Sequence, residues 1–127
     1  METLLITGTA LWCFKHEVIT RSKKRDAGFY ISAAKPFHQH LTDIALTDRA
    51  IELSGNEYYS IPLELISQLY IGFDECYTRA LIWNFGLGGQ PLRIITSNGQ
   101  VMYFFIDYNL LGTANKIWFE QIRERIA

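Results

Sequence analysis

The chain has only two cysteines, Cys13 and Cys76, and three prolines among its 127 residues. Two thiols cannot build a disulfide framework, so free buried cysteines in a reducing cytoplasm are the plainer reading. The apolar run Leu4–Phe14 is too short to span a bilayer. It follows Glu2 rather than a basic stretch, which makes it a poor secretory signal as well. A basic excess is also missing. The formal charge is −1 and the pI is near 6.3, which argues against a nucleic-acid partner. There is no Gly-x-Ser-x-Gly and no His-Glu-x-x-His, and Asp74-Glu75 has no obvious histidine partner. The expectation is a protein that is not an enzyme.

What remains is a globular composition: 49% apolar, 20% charged and 14% aromatic residues, with nine glycines. At this length roughly two-thirds of the unfolded surface can be buried, so no metal or disulfide is required. Residues 1–127 read as one domain. Short β-type runs follow one another until the last fifteen or so residues. A first strand is expected over about Leu4–Ile19, with Gly8 as a bulge or bend. The charged turn Arg21–Gly28 follows, then a strand from Phe29 to about Ala34. Leu41, Ile44 and Leu46 mark a strand ending at Thr47-Asp48-Arg49, and Ala50, Ile51 and Leu53 mark its return. Tyr58–Phe73 is one long β-rich run, in which Pro62 points to an edge position or a bulge. A further strand is expected over Ala80–Phe85. Leu92–Thr96 and Gln100–Ile106 face each other across Ser97-Asn98-Gly99, where Asn-Gly is the residue pair of a type I′ turn.

The period then changes. Leu111, Ala114, Trp118, Ile122 and Ile126 recur at three and four residues, with Lys116, Glu120, Arg123 and Glu124 opposite. That pattern predicts an amphipathic helix over about 113–126, with Thr113 or Asn109 as its N-cap. Too short to be stable alone, it must dock its Trp118–Ile122 face on the sheet. The fold class is therefore mostly β (α+β): about seven strands in a small barrel or bent sandwich, plugged by one C-terminal helix.

The residues from Leu41 to the C-terminus resemble a pleckstrin-homology-like domain of the bacterial and GRAM-type branch. Leu41–Leu53 is similar to that family's paired strands, Ile61–Ile66 to its isoleucine-proline-leucine strand, Pro91–Ile106 to its last hairpin, and Trp118 to its helical tryptophan. The resemblance implies a bent seven-stranded antiparallel barrel with a C-terminal helix. It also implies a non-catalytic module that binds lipid headgroups, peptides or its own copies.

Candidate binding residues fall in two groups. Lys15, Arg21, Lys23, Lys24 and Arg25 imitate the basic residues with which lipid-binding members of that family grip inositol phosphates. Four such charges near an anionic membrane give roughly 4 kcal/mol, about millimolar affinity, so binding needs a pocket or several copies. The same residues also read as a solvated hairpin tip. Tyr58, Tyr59, Tyr70 and Tyr77 are candidates for a protein interface, and one of Tyr58 and Tyr59 must face outward on a regular strand. Cys13-x-x-His16 and His38-x-His40 lack metal-site spacing, and Gly86-Leu-Gly-Gly89 lacks the following Gly-Lys of a phosphate loop. No metal or cofactor is expected. The functional expectation is a cytoplasmic binding or assembly module, held at a membrane surface if the basic turn engages headgroups. The alternative is a small-molecule carrier using the barrel interior.

Overall fold

The computed structural model describes residues 3–24 (side chains to residue 19), 38–78, 89–109 and 112–126. Seven strands form one antiparallel sheet: β1 (Leu4–Phe14), β2 (His40–Thr47), β3 (Ala50–Ser54), β4 (Tyr58–Pro62), β5 (Ile66–Ile71), β6 (Leu92–Thr96) and β7 (Val101–Ile106). Helix α1 (Lys15–Lys24) follows β1, and helix α2 (Asn115–Ile126) ends the described chain. The sheet order is β4-β3-β2-β1-β7-β6-β5, curled into a half-barrel. Two meanders, β1 to β4 and β5 to β7, thus meet where Ala10–Phe14 of β1 pairs with β7.

The concave face holds the main core. Trp12, Leu46, Ile51, Leu53, Leu92 and Phe104 line it, and α2 inserts Trp118 and Ile122, at 2% and 0% exposure. The helix packs on β5 and on the 3-10 turn Leu63–Leu65, beside the gap between the terminal strands β4 and β5. The expected docking of the Trp118–Ile122 face is what the structure has. A second cluster lies on the convex face, where Leu11, Cys13, Tyr103 and Phe105 are covered by Val18 of α1 and by Tyr77. Both faces of the β1–β7 junction are therefore buried. This is why Ala10–Phe14 and Met102–Ile106 are continuous apolar runs without alternation.

Several local expectations need correction. The first strand stops at Phe14 rather than reaching Ile19, and the stretch expected to begin a charged turn is helical through Lys24. Glu17 explains the change. At the third helical position its carboxylate accepts the Phe14 N–H at 2.8 Å, the back-bond of a capping box, and places negative charge in the first turn. Gly8 sits in regular register with Ile44, and the irregularity of β1 lies between Leu4 and Ile6. Gly8 instead leaves room for Asp107: a Cβ there would stand 2.9 Å from one of its carboxylate oxygens, which would have to shift.

The Tyr58–Phe73 run is broken into β4, the 3-10 turn and β5, with Pro62 at the end of a terminal strand. The turn between β6 and β7 is not type I′. Only Gly99 has positive φ (89°), Gly99 N–H donates to the Thr96 carbonyl, and Thr96 pairs with Gln100. It is a three-residue loop with its glycine in the left-handed region, one residue longer than Asn-Gly alone requires. The strands expected at Phe29–Ala34 and Ala80–Phe85 lie outside the described residues.

The Thr47-Asp48-Arg49 turn is held by its threonine, whose Oγ1 accepts the Arg49 and Ala50 N–H groups at 3.1 and 3.0 Å. Among the described residues no helix is long and apolar enough to cross a membrane.

Candidate binding groove

The start of α2 is stitched to the sheet by one residue. Asn115 is 2% exposed although it stands on the first turn of a helix. Its Oδ1 accepts the Ile106 N–H at 2.9 Å, and its Nδ2 donates to the carbonyls of Gln90 (2.7 Å) and Phe104 (3.0 Å). The Ala114 N–H donates to the Ile106 carbonyl at 2.8 Å. In the β6–β7 register Leu92 faces Phe104, so Gln90 and Ile106 would form the next rung. The carboxamide of Asn115 fills that rung where the two strands part. Thr113 Oγ1 accepts the Asn115 N–H at 3.2 Å, and the first helical bond runs from Trp118 N–H to the Ala114 carbonyl. Asn109 instead closes a small bridge with Gly112.

Anchored in this way, α2 stands beside the outer edge of β5. The Gly72 N–H donates to the Pro91 carbonyl at 3.0 Å, which fixes the alternation along the strand. Gln68 and Tyr70 turn their backbone groups toward β6, and Leu69 and Ile71 turn theirs away from it. No described strand pairs with that edge. Between it and α2 runs an open groove of about 670 Å³, walled by Leu69, Ile71, Phe119, Lys116 and Glu120 and ending at Gln90 and Asn115. Tyr70 stands at its rim, 42% exposed, with the Arg93 guanidinium 4.7 Å above its ring.

Arg93 is positioned by Asp74. One carboxylate oxygen accepts Arg93 Nη1 (3.0 Å) and the Tyr103 hydroxyl (2.8 Å), and the other accepts the Cys76 and Tyr77 N–H groups (2.9 and 2.7 Å). Burial pushes the Asp74 carboxyl up, but these hydrogen bonds outweigh it and hold the group below its ordinary 3.8. Burial, then the bond to Asp74, pushes the Tyr103 hydroxyl up. Asp74 is thus a structural hub that folds the 73–77 loop over the convex core. It is not a solvated carboxylate.

The basic candidates are rearranged. Lys15 is the exposed first residue of α1, and Arg21, Lys23 and Lys24 belong to its last two turns. Lys15 and Lys23 are separated by about 12 Å of helix rather than facing each other on neighbouring strands. Arg25 lies outside the described residues. Of the tyrosines, Tyr58 is exposed on β4 and donates to Glu52, while Tyr59 turns inward against Trp12 and Phe14. Tyr77 is wholly buried. Tyr58 and Tyr70 stand on β4 and β5, the two ends of the sheet order. His16 stacks on Phe14 and His40 on Trp12, and among the described residues no group of three or more His, Cys, Asp or Glu gathers.

No family model matches the chain, and no curated protein matches it.

Sequence reasoning missed Asn115 and the groove. The signal available was a polar residue two positions after the candidate cap Thr113, on the side of the helix that also carries Trp118 and Ile122.

Proposed function

We propose that the chain is a non-catalytic binding module that takes an extended segment of a protein partner as an added strand on β5. The observation that carries this reading is the edge of β5 beside α2, with which no described strand pairs. Outward-pointing N–H and C=O groups at Leu69 and Ile71 offer main-chain hydrogen bonds, and Phe119 offers apolar contact. Strand addition uses this division of labour, with backbone bonds for affinity and flanking side chains for selectivity. The curled antiparallel sheet and its terminal helix support the pleckstrin-homology-like reading of the sequence, and binding modules are what that resemblance implies. The carrier reading finds less support, because Trp12, Phe104, Met102, Trp118 and Ile122 occupy the concave interior that a cargo would need.

The test is selection from a randomised peptide display library on the intact chain, with the selected peptides mapped by amide chemical shifts. The expected result is perturbation centred on Leu69, Ile71, Lys116 and Phe119. Perturbation confined to α1, or no selected sequence, refutes the proposal. Sedimentation with anionic vesicles in parallel reads out the headgroup alternative.

A further inference from the structure

The rows of side chains that end at β5 specify which extended segment fits beside it, an inference that rests on the strand-addition reading above. Every pairing in the sheet is antiparallel, so a strand that continues the pattern on β5 runs from its Ile71 end toward Leu69. Residues directly opposite each other point to the same face. The residue opposite Ile71 therefore extends the row Ile71, Leu92, Phe104 and Trp12. The residue opposite Leu69 extends the row Leu69, Ile94, Met102 and Phe14. Both rows are apolar from end to end and belong to the concave core, against which Phe119 also packs from the groove wall. Apolar side chains at these two positions leave water, and β-branched ones suit the extended backbone.

The residue between them faces the other way, opposite Tyr70. It extends the row Tyr70, Arg93 and Tyr103, in which each side chain carries a polar group and Tyr70 is 42% exposed. A polar side chain fits there. The charge of the groove is also decided. Lys116 and Glu120 are the charged residues in its wall. Both oxygens of Glu120 accept Arg123 Nη2, at 3.0 and 2.7 Å. Lys116 makes no ion pair among the described residues, and no acidic residue stands in the first turn of α2 to offset it. Lys116 follows Asn115 at the Gln90 end of the groove, where the Gly72 N–H meets the Pro91 carbonyl. An antiparallel segment enters at that end. We propose that the groove selects a partner segment that reads acidic, apolar, polar, apolar, with its leading acidic residue at Lys116.

The test uses three acetylated and amidated hexapeptides: Asp-Glu-Val-Thr-Val-Ser, its charge-reversed form Lys-Lys-Val-Thr-Val-Ser, and its alternation-reversed form Asp-Glu-Thr-Val-Thr-Ser. Each is titrated into the intact chain while the amide resonances of Leu69 and Ile71 are followed. The first peptide should bind about fivefold more tightly than the charge-reversed one, as expected of one exposed ion pair. It should bind at least tenfold more tightly than the alternation-reversed one, which offers one apolar side chain and turns it outward. In Lys116→Gln the preference for the acidic peptide should vanish while the preference for the alternation remains. Shifts at Leu69 and Ile71 with equal affinity for all three peptides overturn the selectivity and leave strand addition standing. No shift at either residue with any peptide overturns both. Concentration-dependent shifts there without peptide assign the edge to a second copy of the chain and likewise overturn the proposal.

Discussion

Replacing Asn115 with alanine removes three hydrogen bonds from a residue that contributes almost no surface. The Ile106 N–H loses its partner outright, and so does the Gln90 carbonyl on the groove side, where water can reach it. The Phe104 carbonyl keeps its ladder bond to β6. One buried orphan donor costs about 1–3 kcal/mol, and losing the remaining two bonds adds about 1 kcal/mol between them. The expected destabilisation is about 2–4 kcal/mol, a large share of the ~5–15 kcal/mol that holds a domain of this size. With a urea slope of ~1.5 kcal/mol/M, the unfolding midpoint falls by between about 1 and 3 M. Asn115→Asp sharpens the test. The aspartate still accepts from Ile106 but turns a charged oxygen toward two carbonyls, so at neutral pH it should cost at least as much as alanine. Thr113→Ala, which loses a single cap bond, should cost only about 1 kcal/mol. Urea titrations of the three variants by tryptophan fluorescence decide it. A midpoint in Asn115→Ala within 0.3 M (about 0.5 kcal/mol) of the parent protein's would refute the ladder-rung role.

Gly8→Ala places a methyl group against the Asp107 carboxylate, and thermal unfolding should show a loss of about 1–3 kcal/mol that shrinks in an Asp107→Gly background. Acid should loosen the convex core first. Asp74 has a lowered folded-state pKa, so its contribution is present above the unfolded value of 3.8 and is lost as pH falls through the lower folded value. Asp74→Asn should flatten the acid limb of the stability curve below about pH 4, and an unaltered limb counts against the hub. Burial, with a smaller push from Glu17, raises the Cys13 thiol well above its ordinary value, so native-state alkylation should label Cys76 first and Cys13 only on unfolding. Equal labelling rates would contradict the packing of the convex cluster.

The elements legible in the sequence are those whose burial is local and periodic. Leu41–Leu53 alternates around a polar turn, Leu92–Ile106 folds back at a glycine, and Trp118 and Ile122 share a helical stripe. Helix α1 was hidden because Val18-Ile19-Thr20 is a β-branched run with little apolar periodicity. Its signals were at its ends: Glu17 in the first turn and the Lys23-Lys24 pair in the last, where cations favour a helix terminus. The basic cluster was read as a turn for the same reason that it completes a helix. Asn115 was illegible for a different reason. Its partners Gln90, Phe104 and Ile106 are reached through the sheet, and a polar residue in a first helical turn ordinarily faces water. The groove lies between α2 and β5, a relation that no local window contains.

The pairing of β1 with β7 has a consequence for how the chain reaches this state. Ala10 and Ile106 are neighbours across the junction yet stand 96 residues apart in the sequence (106 − 10). The meander from β1 to β4 can assemble while synthesis proceeds, but its innermost strand has an exposed flank until the last hairpin emerges. Contacts so distant along the sequence slow folding, and the waiting flank is a run of apolar residues. The joint that unites the two halves is therefore also the place where a nascent chain is most open to wrong association.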